Sequence, residues 1–168
     1  AGMGDGQALF TGTYRIRSSY WHFDGQTGGG PTAWDSGHGF KFAGNDKTIY
    51  CNDDDGHLAS LMFEHCEFQG LGNATSGGQE YIDLLPYVNG LTGLTFRYCY
   101  WHNMSNNALH LATITDMLVE YCYAGDGQGY PTSHGEFNYN QYSVNHVIRY
   151  SRFRNHNGPA QTGVIGFW

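Results

Sequence analysis

At 168 residues the chain has the length of one domain, long enough to bury a sizeable core. Charged residues make up only 14%, whereas Gly (25), Tyr (13) and Phe (10) are abundant. That mixture favours short strands joined by turns and leaves no window for a long amphipathic helix. A formal net charge of −7, with eight scattered Lys and Arg, argues against a nucleic-acid partner, and no apolar run is long enough for a membrane span.

Residues 2–12 read as a Gly-rich loop ending in the apolar piece Ala8-Leu9-Phe10. Tyr14-Arg15-Ile16-Arg17 alternates as a half-buried strand does, and Tyr20-Trp21-His22-Phe23-Asp24-Gly25 is a second strand closed by a turn. The run Gly28-Gly29-Gly30-Pro31 opens a loop that carries Trp34. From there the chain alternates two strand types. One is Gly39-Phe40-Lys41-Phe42-Ala43, with counterparts at Tyr81–Leu85, Ala108–Ala112, Gly135–Tyr139 and Val164–Trp168.

The other is a phrase that recurs at Phe63-Glu64-His65-Cys66, Phe96-Arg97-Tyr98-Cys99, Val119-Glu120-Tyr121-Cys122 and Ile148-Arg149-Tyr150-Ser151. Two places beyond each copy stands Phe68, Trp101, Ala124 or Phe153. A phrase repeated with loops of variable length means a stacked architecture, in which each strand pairs with its equivalents above and below. Cys66, Cys99, Cys122 and Ser151 then share one interior file. The cysteines are read as buried free thiols, with a disulfide between neighbouring layers as the alternative. No C-x-x-C pair indicates zinc.

On these phrases and the partner strands ending in Phe42, Leu111 and Tyr139, residues 13–168 resemble the right-handed parallel β-helix, pectate-lyase-like superfamily. The resemblance implies an all-β solenoid of about five rungs without evident caps, secreted or on a cell surface. The uncapped strand at the end, and Ala1 in place of a Met, read as an interior slice of a longer secreted bacterial β-helix protein, or as a subunit whose open ends stack end to end into a fibre. The resemblance further implies an extracellular protein that binds or processes polysaccharide along an outer sheet face.

If Phe40/Phe42, Ile82/Leu84, Leu109/Leu111 and Phe137/Tyr139 point inward, alternation sends Lys41, Asp83, His110 and Asn138 outward as a polar ladder flanked by Glu136 and Tyr81. Carboxylate, base and Lys together suit proton abstraction next to a uronate carboxyl or glycoside hydrolysis; a merely solvated face is the alternative. Trp34, Tyr81 and Tyr142 are candidates for stacking on sugar rings. Asp53, Asp54 and Asp55 offer hard oxygens for calcium, although the stretch departs from the EF-hand pattern and also suits a solvated turn. The nine histidines show no metal-binding motif and are read as packing or surface residues.

Overall fold

A computed structural model of the chain describes residues 6–43, 48–51, 58–70, 82–84, 90–104, 107–126, 136–154 and 165–167. Among them are seventeen strands and no helix. The strands fall into three parallel sheets, and within each sheet neighbouring strands are three places apart in the chain.

Sheet A holds β1 (Ala8–Thr11), β4 (Phe40–Ala43), β7 (Cys66–Gln69), β10 (Tyr100–His102), β13 (Tyr123–Gly125) and β16 (Arg152–Arg154). Sheet B holds β2 (Tyr14–Ile16), β5 (Ile49–Cys51), β8 (Ile82–Leu84), β11 (Leu109–Ala112), β14 (Asn138–Gln141) and β17 (Ile165–Phe167). Sheet C holds β3 (Trp21–Asp24), β6 (Leu58–Glu64), β9 (Leu91–Arg97), β12 (Ile114–Glu120) and β15 (Val144–Arg149). Each cycle of chain therefore supplies three strands, not the two that the sequence pattern suggests.

All three sheets contribute to one apolar core. In sheet A the inward row runs Phe10, Phe42, Phe68, Trp101, Ala124, Phe153 and in sheet C Phe23, Phe63, Phe96, Val119, Ile148, the residues at the ends of each row being only partly buried. Within each row the rings stack, as Phe42 on Phe68 at 5.3 Å and Phe63 on Phe96 at 5.2 Å. Between rows they meet edge to face, as Phe96 and Trp101 do at 5.1 Å and 71°. Both are favoured arrangements for aromatic quadrupoles. Trp101 has no exposed surface, and Trp21 heads a second inward row of sheet C above Leu61, Leu94 and Met117.

The recurring phrase straddles the bend from sheet C to sheet A. Its third residue is the corner: His65, Tyr98, Tyr121 and Tyr150 all have φ between 51° and 54°. That left-handed conformation turns the chain within one residue. The four side chains stack outside the bend, at 4.9, 5.4 and 5.2 Å between successive ring centroids. Just past the corner lies the predicted interior file. The Cys99 amide donates to Cys122 Sγ at 3.4 Å and the Cys122 amide to Ser151 Oγ at 3.1 Å. Cys66, Cys99 and Cys122, and Cys51 in sheet B, are buried free thiols, as read from the sequence.

Candidate functional site

The outer face of sheet A follows from the phrase itself. Cys66 and Phe68 are buried, so alternation turns Glu67 outward, and the same holds for Tyr100, Tyr123 and Arg152. The outer row thus reads Leu9, Lys41, Glu67, Tyr100, Tyr123, Arg152, with Gln69 and His102 beside it.

Glu67 is the centre of a dense polar cluster. Lys41 Nζ donates to Oε1 at 2.6 Å, His102 Nε2 lies 2.8 Å from the same oxygen, and Gln7 Nε2 donates to Oε2 at 2.7 Å. Burial opposes ionisation, but the hydrogen bonds from His102, Lys41 and Gln7 outweigh it and hold the carboxyl down at about 2. Above the cluster Tyr100 stacks on His102 at 4.5 Å and on Tyr123 at 5.2 Å, with interplanar angles of 11° and 9°. Arg152 lies over the Tyr123 ring at 5.8 Å. Burial, reinforced by Tyr123, Asp35, Asp126 and Glu67, pushes the Tyr100 hydroxyl up to about 12, so it stays a hydrogen-bond donor at neutral pH.

One wall of this face is the loop over residues 25–39. Its stems touch at glycines: a Cβ on Gly39 would stand 2.2 Å from the Gly25 carbonyl oxygen, and one on Gly25 2.2 Å from that of His65. The loop is tied to the corner residues by the His65 Nδ1 contact to the Gly28 carbonyl at 2.7 Å. Between it and β7 opens a cleft of about 730 Å³ lined by Gln7, Thr27, His38, Phe40 and Glu67. His38 is buried and its ring stacks on Tyr100 at 5.9 Å; burial lowers its proton affinity.

The ladder expected from the sequence does not form. Lys41 is on sheet A, because β4 pairs with β1 and β7, whereas Asp83 and His110 are partners in sheet B. Asn138 aligns with Leu109, not His110, and is fully buried; Tyr139 takes the outward place beside His110. A register displaced by one residue reverses which face each side chain occupies. Glu136 is also buried. Trp34 is half-buried in the loop, and Tyr142 sits 81% exposed at the bend from sheet B to sheet C. Tyr81 and Asp53, Asp54 and Asp55, with the calcium expectation they carry, lie outside the described residues. Glu67, His102, Tyr100 and Tyr123 were not singled out in the sequence, although Glu67, Tyr100 and Tyr123 each stand between a Cys and a second inward-type residue (Phe68, Trp101, Ala124), which marks them as outward.

Sheet C carries a different outer row: Asp24, Glu64, Arg97, Glu120, Arg149. Arg97 bridges Glu64 at 2.9 Å and Glu120 at 2.7 Å, and Arg149 reaches Glu120 at 2.7 Å. Among the described residues, one group of side chains could hold a metal ion: His22, Asp24 and Glu64. No helix among them is long and apolar enough to cross a membrane.

Comparison with known proteins gave no matching family model, no similar curated protein and no similar solved structure.

Proposed function

We propose that the chain is a right-handed parallel β-helix, secreted or displayed on a cell surface, that binds polysaccharide along the outer face of sheet A. The pairing of every strand with its third neighbour supports the helix, and crossovers between parallel strands are right-handed in about 98% of cases. The observation that carries the binding reading is the stacked column of Tyr100, Tyr123 and His102 beside a polar cluster whose Glu67 lines a cleft. The ring faces are taken by one another and by Arg152, so the column offers a sugar its ring edges and phenol hydroxyls, and the Glu67 cluster offers sugar hydroxyls both donors and acceptors. Binding is favoured over catalysis, because Glu67 already receives three donors and is held ionised, a poor start for a general acid or base.

The test is a screen of soluble neutral and acidic oligosaccharides by calorimetry. Tyr100→Ala and Tyr123→Ala are each expected to weaken the best ligand about tenfold, ~1.4 kcal/mol, with Tyr139→Ala on sheet B unchanged. Unaltered affinity in both sheet A variants, or no bound glycan at all, would falsify the reading.

A second reading, a structural subunit that stacks end to end, is favoured by one observation. At the β1–β3 end a cavity of about 400 Å³ is lined by Phe10, Tyr14, Ile16, Trp21 and Phe23. A second copy suits it, because Arg149 ends the sheet C row opposite to Asp24 and a head-to-tail contact pairs them. Electron microscopy decides: filaments one molecule wide, lost in Trp21→Lys, support assembly, and a monomer at every concentration removes it.

A further inference from the structure

The outer row of sheet C alternates in sign from Glu64 onward, carboxylate, guanidinium, carboxylate, guanidinium. The alternation breaks at its start. Asp24 and Glu64 are direct partners on neighbouring strands, and like charges placed opposite each other destabilise a sheet. No cationic side chain pairs with Asp24 among the described residues; Oδ1 accepts only the Gln26 amide, at 2.8 Å. Glu64 gives Oε1 to Arg97 and turns Oε2 toward His22 Nε2, 2.8 Å away. His22 lies two residues before Asp24 on β3, so both emerge on the same face. One ligand atom from each of His22, Asp24 and Glu64 falls within 4.8 Å of the other two.

We propose that His22, Asp24 and Glu64 form a binding site for a divalent transition-metal ion of the zinc class. One imidazole nitrogen and two carboxylate oxygens suit borderline ions such as zinc, nickel or cobalt, whereas calcium takes oxygen ligands throughout. A doubly charged ion between the two carboxylates supplies the positive charge that the row lacks at this position. Three protein ligands leave a fourth place for water. The ion fastens β3, the edge strand of sheet C, to β6, through residues whose neighbours on the row are already fixed by Arg97.

The experiment is a titration of chelator-stripped protein with zinc chloride, read by calorimetry and by tryptophan fluorescence, to which Trp21 beside His22 contributes. Saturable binding of one ion is expected, with His22→Gln and Asp24→Asn each weakening it roughly tenfold or more and calcium chloride failing to compete. Because the chain has nine histidines, the variants carry the assignment. Thermal melts separate a ligand role from a structural one. In chelator, Asp24→Asn melts no lower than the parent, since it removes a like-charge contact; in zinc it loses the rise that the parent shows. Both replacements are near-isosteric, His22 exposed and Asp24 half-buried, and circular dichroism checks that the fold is kept. The proposal is overturned if zinc does not bind, if the His22→Gln, Asp24→Asn double variant binds it as the parent does, or if Asp24→Asn melts lower by the same amount with and without zinc.

Discussion

Glu67 carries more of the outer face of sheet A than any other single residue. Its carboxyl, at about 2, lies below the ~4.3 of an unfolded chain, so the stabilisation it gives is complete above that value and is lost as the pH falls toward 2. Glu67→Gln should therefore cost on the order of 2–3 kcal/mol at neutral pH, and its urea-unfolding curves should converge with those of the parent near pH 2. A variant that stays equally less stable at every pH would show that the loss is steric. The position of Glu67 was legible, since it stands between two residues recognisable as buried. Its partners were not: Gln7, Lys41 and His102 lie 60, 26 and 35 residues away, and only the three-strand cycle brings them together.

At the scale of the elements, the corners decide the architecture. Beside the corner file of His65, Tyr98, Tyr121 and Tyr150, a second left-handed file runs through Tyr20, Ser60, Gly93, Asp116 and Asn145 and bends the sheet C strands. Its composition follows from the conformation, because Gly, Asn and Asp enter it at least cost. Ser60 is exposed and φ is 54° there, so backbone strain is what a substitution changes. Ser60→Val should destabilise by about 1–2 kcal/mol and Ser60→Gly should stay within about 0.5 kcal/mol of the parent, measured by chemical unfolding. Equal losses in the two would place the cost in lost side-chain contacts. The corner file was visible as the aromatic slot of the repeat, but its backbone geometry was not. Tyr is a poor advertisement for positive φ, and it is chosen here for the ring stack outside the bend. The second file escaped notice because its five residues share no side-chain type.

For the whole molecule, the sequence specifies parallel pairing of equivalent phrases and one shared interior, and both are found. The misassignment of β4 has a physical cause. Phe40-Lys41-Phe42 has the same alternation as Leu109-His110-Leu111, and alternation reports which face is buried without reporting which sheet a strand joins. With three strands per cycle and loops of unequal length, two strands of like pattern belong to different sheets, and the polar ladder drawn through them dissolves. What replaces it is a face whose chemistry is aromatic and ionic at once. That face is tested most directly by amide chemical shifts, recorded while the tightest-binding oligosaccharide of the screen is added. The account predicts the largest shifts at Glu67, Tyr100, His102, Tyr123 and Arg152. Shifts concentrated at Tyr50, His110 and Tyr139 on sheet B, or none with any glycan, would contradict it.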